Sequence, residues 1–370
     1  MNVSVLGGSN GAYTTAADLT LAGHRVRLWR RNAAELASIL SSGTITLAAE
    51  ERQGAARLDR ATTDIGEALE GAEIVVVPLP ATSHEDIGAR LAGQLTGKEV
   101  VLVTPGTFGS YVMARTLARA GATLPLAFAE TGTLPYLTRK TGPSSSAAPV
   151  RAANLPVGVF PASRAKTVLE RVRVLFPATR PCVDVLDAAL TNAGPVIHPP
   201  LVLVNAASID AGRFDIHTAG TSASARKLID AVDRERVASR QGIGYPPPHY
   251  DMATTYYDDA RAAEGLYGAG AKAKLLASGL WNEVLTYEHR YVTEDAALGL
   301  TLLESAGRMA GVPTPAASGL LGVFGALLGR DLTGGRALDH LGLGDLTRRE
   351  VLTFLHEGWE GHTWSRVIRR

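Results

Sequence analysis

A single cysteine, Cys182, stands among the 370 residues, which excludes a disulfide framework and a thiolate metal cluster. No apolar run has the length a bilayer span requires. Glycines at Gly7 and Gly8 interrupt the first apolar stretch too early for a secretory signal. Charge of one sign is also lacking. With 37 Lys+Arg against 36 Asp+Glu, the net charge of +1 offers no broad basic face to nucleic acid or to an anionic membrane. What remains is a chain with 46% hydrophobic and 20% charged residues, enough to build a sizeable core. At roughly 150 residues per domain the length suggests two domains. The expectation is a cytoplasmic protein with neither nucleic-acid nor membrane partners.

The first half alternates short apolar runs with amphipathic stretches, the pattern of a parallel sheet with crossover helices. Strands are expected at Val3–Leu6, Arg25–Trp29, Glu73–Val77, Glu99–Val103 and Pro125–Ala129, and helices at Ala12–Ala22, Ala34–Ser41, His84–Leu95 and Tyr111–Ala120. The Ser-rich stretch Pro143–Pro149 reads as a loop. Val157–Phe160 and Val183–Val185 read as late strands around a helix at Ala162–Leu175. After Asp187 the texture becomes mostly helical, broken by loops at Gly242–Pro248 and Val312–Pro315, and no internal repeat is apparent. The expected architecture is an α/β Rossmann-type dinucleotide-binding domain over 1–185, followed by an all-α domain over 186–370, with a cleft between them.

Gly7-Gly8-Ser9-Asn10-Gly11-Ala12 follows the first strand directly and opens a helix. A tight turn there lets a pyrophosphate approach the backbone at a helix N-terminus. Gly7 and Ala12 fit the G-x-G-x-x-G/A pattern, while Ser9 replaces its second glycine. A structural turn without ligand would use similar residues, but the strand-turn-helix context favours a dinucleotide. The second strand ends in Trp29-Arg30-Arg31, where an NAD site usually carries an acid for the ribose 2′-hydroxyl. Two guanidiniums suit a 2′-phosphate instead, so NADP(H) is expected in preference to NAD(H). Pro78 with Pro80, and Thr104-Pro105-Gly106, end later strands where the ribose and nicotinamide usually lie; alone they are also ordinary strand punctuation.

In the second half, Leu190-Thr191-Asn192 precedes His198-Pro199. An imidazole titrating near neutral pH can transfer protons, although a lone His is more often structural. Arg290 and Glu294 stand four apart on an expected helix and could be an ordinary ion pair, whereas Asp295 has no partner at helical spacing. His217 and His249 sit in no i, i+4 pair with another ligand type, so no metal is expected.

These residues, in this order, resemble the opine dehydrogenases, the family of octopine, nopaline and N-carboxyethyl-norvaline dehydrogenases. The resemblance rests on Gly7–Ala12, Glu130-Thr131-Gly132-Thr133-Leu134-Pro135-Tyr136, Leu190-Thr191-Asn192 with His198-Pro199, and Arg290-Tyr291 with Glu294-Asp295. Val312-Pro313-Thr314-Pro315 and Gly335–Leu343 complete it, so that nearly the whole chain is covered. It implies reductive condensation of a 2-oxo acid with an amine by NAD(P)H, giving a secondary amine. By the same analogy His198 is the general acid/base, Asp295 holds its tautomer, and Arg290 binds a substrate carboxylate. Thr133, Thr138 and Asn192 would contact substrate. Family members occur as monomers and dimers, and the apolar run Leu320–Leu328 is either a dimer face or a core helix.

The chain departs from the family at Ser9, at Tyr13, where relatives commonly carry His, and most of all at Phe214–Ala223. Relatives carry an aromatic pair and an acid where this chain has Ile216, His217 and Ala219. Loss of that acid argues for a less polar or cyclic amine. Tyr245–Tyr250 and Tyr256-Tyr257-Asp258-Asp259 are candidates for replacement contacts. Two other readings stand beside this one. A ketopantoate or hydroxy-acid reductase shares the two-domain plan, but the Lys its chemistry needs is absent from Leu190–Val204. A cofactor sensor without turnover would have no use for both His198 and Asp295.

Overall fold

The computed structural model describes residues 1–212, 215–257, 261–281 and 285–369. The chain divides into two compact units, Met1–Ala188 and Ala189–Arg370.

The first unit starts with β1 (Asn2–Leu6), α1 (Asn10–Leu21), β2 (Arg25–Trp29), α2 (Ala33–Ser42), β3 (Thr44–Ala49), β4 (Gly54–Arg57) and β5 (Arg60–Thr62). It continues through α3 (Ile65–Leu69), β6 (Ile74–Val77), α4 (His84–Leu91), β7 (Val100–Val103), α5 (Gly109–Arg119) and β8 (Ala127–Thr131). Then come β9 (Tyr136–Gly142), β10 (Ser145–Arg151), β11 (Leu155–Phe160), α6 (Ala165–Leu175), β12 (Thr179–Pro181) and α7 (Val185–Ala189). Eight strands form one sheet in the order β12-β11-β8-β7-β6-β1-β2-β5. Its pairings are parallel except β11 against β8. Every residue of β6 and β7 is buried, so helices cover both faces and the strands read as unbroken apolar runs. Strand order reverses between β1 and β6, the position where an open α/β sheet receives its ligand at the carboxyl ends of the strands.

Two sequence expectations are corrected here. The stretch Pro143–Pro149 is a strand for most of its length, because Ser146, Ala148 and Val150 alternate inward along β10. Small residues hid a period-two pattern. Val183–Val185 is not a strand: the Asp184 carboxylate accepts from Leu186 and Asp187 N–H and starts α7, while the last strand lies earlier at β12.

β3, β4, β9 and β10 form a second, four-stranded sheet, in the order β4-β3-β10-β9. Helix α1 is bound to it by buried polar contacts. Thr14 Oγ1 lies 2.5 Å from both Thr138 Oγ1 and Ser146 Oγ. The fully buried Asp18 carboxylate accepts from Arg52 at 2.9 Å, from the Tyr136 hydroxyl at 2.8 Å and from Arg151. A carboxylate taken out of water needs such partners, and removing one would leave charge uncompensated.

The second unit contains α8 (Gly194–Val204), α9 (Ala206–Asp210), α10 (Ala223–Ile243), α11 (Met252–Thr255) and α12 (Ala271–Ala277). A wide, π-helical segment, Tyr291–Leu300, runs directly into α13 (Thr301–Ala310), followed by α14 (Pro315–Leu328), α15 (Arg348–Glu357) and α16 (Trp364–Ile368). Leu320, Leu321 and Phe324 of α14 are buried, while Val323 and Leu327 are 44% and 50% exposed. This helix is therefore part of the core on one side. No described helix is long and apolar enough to cross a membrane.

Candidate active site

The first unit gathers the expected cofactor residues around the carboxyl ends of β1, β2 and β6. Gly7 and Gly8 leave β1, and Ser9 caps α1: its hydroxyl accepts from Ala12 N–H at 3.0 Å and donates to the Pro78 carbonyl at 2.6 Å. The residue that breaks the glycine pattern thus closes the helix terminus and ties it to the end of β6. A Cβ on Gly8 would stand 2.3 Å from Arg30 Nε and would displace that side chain. Arg30 therefore lies against the turn, donating to the Tyr13 hydroxyl at 2.9 Å and to the Glu35 carbonyl at 3.0 Å. Arg31 points outward, 3.6 Å from Asp86 and 70% exposed.

Two residues near the turn were not anticipated. The Glu35 carboxylate pairs with Arg30. The acid missing from Trp29–Arg31 thus arrives from the first turn of α2. Asn32-x-x-Glu35 is a helix-start signature, and Asn32 does cap α2, so the sequence held a signal that placed Glu35 beside the end of β2. Lys140, from β9, donates to the Gly8 carbonyl at 3.0 Å. The strand that carries it was not anticipated, and neither was its approach to the turn.

Pro105 and Gly106 follow β7. Gly106 N–H donates to the Thr131 carbonyl, and a Cβ on Gly106 would collide with Glu130. The Glu130 carboxylate, fully buried, accepts from Phe108 N–H at 2.5 Å, Ser110 N–H at 3.0 Å and Ser110 Oγ at 2.6 Å. It caps α5 and fixes the loop after β7, a sufficient reason for an acid at the head of the Glu130–Tyr136 motif. Thr133 is buried beyond it. Thr138 is buried among Thr14 and Ser146 hydroxyls and donates to the Ala147 carbonyl. Its hydroxyl is engaged in this cluster under α1 and not with a surface open to substrate.

In the second unit, α8 and the π-helical segment bring His198 and Asp295 together, with His198 Nδ1 2.7 Å from Asp295 Oδ2. The two helices can approach so closely because small residues line the crossing. A Cβ on Gly194 would stand 2.5 Å from Asp295 Oδ1, and one on Gly299 would stand 2.2 Å from Pro195 Cγ. Asn192 accepts from Gly194 N–H at 3.0 Å, shaping the start of α8. The Asp295 side chain is 4% exposed and that of His198 19%. Burial pushes the Asp295 carboxyl up to about 6, against the opposing charges of Arg290 and His289. Arg290, 44% exposed, directs Nε at Glu294 Oε2 across 3.2 Å, so the i, i+4 pair is formed with a buried carboxylate.

Tyr291 follows Arg290 in the sequence, where nothing assigns it a role of its own. Its ring stacks on the His198 imidazole, with centroids 3.6 Å apart and planes 12° from parallel. Its hydroxyl lies 3.0 Å from His217 Nε2. His217 Nδ1 is in turn 3.3 Å from the Tyr256 hydroxyl, which is 3.1 Å from Thr221 Oγ1. Burial pushes the Tyr256 phenol up to about 12, so it stays protonated across the working range. The segment that departs from the family therefore carries a histidine joined to the site through Tyr291. Ala219 itself is exposed, as is Thr218. Phe214, Asp258 and Asp259 lie outside the described residues. Tyr245 and Tyr250 are core residues, and Tyr257 donates to Asp230.

Residues 181–328 match the family described as NAD/NADP octopine/nopaline dehydrogenase, alpha-helical domain. The chain is 27% identical over 355 residues to an opine dehydrogenase of Arthrobacter sp. (strain 1C), covering 93% of this chain and 96% of that protein. Among solved structures it is similar to octopine dehydrogenase with NADH and L-arginine, at a TM-score of 0.73 and 19% identity, covering 95% of this chain and 98% of the other. It is also similar to yersinopine dehydrogenase with NADP+ bound, at 0.64 and 14%, covering 97% and 98%.

Proposed function

We propose that the chain is an NAD(P)H-dependent dehydrogenase of the opine dehydrogenase type, a reading supported by the match of residues 181–328 and by the 27% identical relative, and that it reductively joins a 2-oxo acid to an amine, or reduces the derived imine, with NADPH preferred. The observation that carries the reading is the pairing of half-buried His198 with the buried Asp295 carboxylate.

Asp295 accepts from Nδ1–H of His198 and so leaves Nε2 as the nitrogen that exchanges a proton with substrate. Neutral Nε2 takes a proton from the adding amine. The resulting imidazolium, stabilised by Asp295 and by the π face of Tyr291, gives it to the new alkoxide, and a second proton, taken up from solvent through the same nitrogen, lets the hydroxyl leave as water and a protonated imine form. The imine so formed is reduced by hydride, which the bound nicotinamide cofactor supplies. Arg290 offers a planar fork for the oxo-acid carboxylate, and Glu294 fixes its direction. Asn192 shapes the loop before His198, and Thr133 remains a candidate contact for the oxo acid.

The turn at Gly7–Ala12 suits a dinucleotide, with Pro78, Pro105 and Gly106 as further contacts. Arg30 and Arg31 support NADPH. Glu35 opposes them, since its carboxylate holds the guanidinium a 2′-phosphate would need. The Glu35 side chain is 55% exposed, so it can yield that guanidinium at small cost.

NADPH oxidation against a matrix of 2-oxo acids crossed with amino acids, other amines and preformed cyclic imines tests the proposal. Oxidation that requires both partners, or a cyclic imine alone, is the expected result. Oxidation by an oxo acid without amine would replace it with a hydroxy-acid reductase.

A further inference from the structure

Two cations meet at one aromatic ring beside the dinucleotide turn. Lys140 Nζ lies 4.9 Å from the Tyr13 ring centroid and Arg30 Cζ lies 5.9 Å from it. Each is also fixed to the turn: Lys140 by its bond to the Gly8 carbonyl, Arg30 by filling the space beside Gly8. The Lys140 backbone N–H donates to Asn10 Oδ1 at 2.9 Å, which anchors this part of β9 to the first turn of α1. Holding two like charges at one ring costs free energy. Consistent with that, partial desolvation and the Arg30 charge draw the Lys140 ammonium below its ordinary range. The Glu35 carboxylate pairs with Arg30. An ammonium donates up to three hydrogen bonds, and Lys140 spends one on Gly8. The residue is exposed enough for an anion to reach it.

We propose that Lys140 binds a phosphate group of the nicotinamide dinucleotide, acting with Arg30 as the second cation of the turn. This rests on the reading above that the turn holds such a cofactor. The phosphate is either the 2′-phosphate of NADP(H) or the pyrophosphate common to both dinucleotides. A Lys from the second sheet would then explain what that sheet does for the site: β9 carries a second positive charge to the turn, beside the one Arg30 supplies at the end of β2. It would also explain why Tyr13 stands in α1, since its ring offers a π face to both cations.

The test is binding, with no turnover required. Affinities of 2′,5′-ADP, ADP, NADPH and NADH are measured by calorimetry for the wild-type chain, Lys140→Met and Lys140→Arg. Loss of a charge-assisted contact predicts about tenfold to a hundredfold weaker binding for Lys140→Met, largely recovered in Lys140→Arg. Loss confined to 2′,5′-ADP and NADPH identifies the 2′-phosphate. Loss with ADP and NADH as well identifies the pyrophosphate. Thermal melts of each variant separate this from unfolding, and Lys140→Arg restores the charge should Lys140→Met melt early. Wild-type binding that Lys140→Met leaves unchanged overturns the inference alone. Failure of the wild-type chain to bind any of the four overturns the dinucleotide reading beneath it.

Discussion

Replacing Asp295 with Asn should separate stability from activity with opposite signs. Burial raises the carboxyl from its usual 3.8 to about 6, so the folded state prefers it protonated more than the unfolded chain does. A group whose pKa rises on folding contributes stability that is fully present below the unfolded value, here near pH 3.8. That contribution is lost as pH rises through about 6. Two pKa units at about 1.4 kcal/mol each give an upper bound of about 3 kcal/mol. The bound is not reached if His198 carries a proton and offsets the carboxylate. Asn does not titrate. Asp295→Asn should therefore gain on the wild type as pH rises from 4 to 7, by up to roughly 6–12 °C in Tm for a unit of this size. Turnover at pH 7 should fall by about a hundredfold or more, because an amide neither holds the tautomer as firmly nor balances the imidazolium. Scanning fluorimetry across pH 4–8, with kcat for the same preparations, measures both. Parallel Tm profiles for the two proteins would refute the buried-carboxylate argument.

His198→Ala should lower kcat by about two to four orders of magnitude, with the Kd for NADPH, measured by its fluorescence, unchanged. Tyr291→Phe keeps the ring on His198 but loses the hydroxyl contact to His217, so a stability loss of about 1 kcal/mol by denaturant titration should accompany near-normal turnover. Tyr291→Leu removes the stacked ring, and kcat should fall about tenfold or more. Glu35→Gln releases Arg30 and should tighten NADPH binding by up to about fivefold, the scale of an exposed ion pair, with NADH little affected.

Where apolar runs are long and their faces uniform, the fold is legible in the sequence. β6 and β7 are read almost to the residue from Val, Ile and Leu buried on both sides, and β1 and β2 from apolar residues beside an occasional polar one. The second sheet is not. β4 and β10 are mostly Gly, Ser and Ala, whose alternation carries little hydrophobic contrast, β9 mixes Tyr136 and Leu137 with Thr, Arg and Lys, and β3 alternates Ile45 and Leu47 with Thr; all four strands pack against α1. The fate of the site residues follows the same logic. His198, Asp295 and Arg290 are visible because acid/base and carboxylate chemistry restrict residue type, and Asp295 lacks any local partner. Their contact depends on Gly194 and Gly299, whose purpose appears only when α8 and the π-helical segment are set against each other. Thr138 shows the converse. The family resemblance implies a substrate contact for it, whereas its hydroxyl lies in a buried hydroxyl cluster under α1. Lys140 and Glu35 reach the dinucleotide turn from neighbouring elements, so no reading of Gly7–Arg31 alone could have included them.

The carbon that receives the hydride distinguishes reductive condensation from reduction of the oxo acid most directly. NADPH deuterated at the transferable position, incubated with an accepted pair of 2-oxo acid and amine, should yield a secondary amine carrying one deuterium on the carbon that was the oxo carbon. That product should be absent in the His198→Ala variant over the same interval. A deuterated 2-hydroxy acid, with the amine recovered unchanged, would contradict reductive condensation.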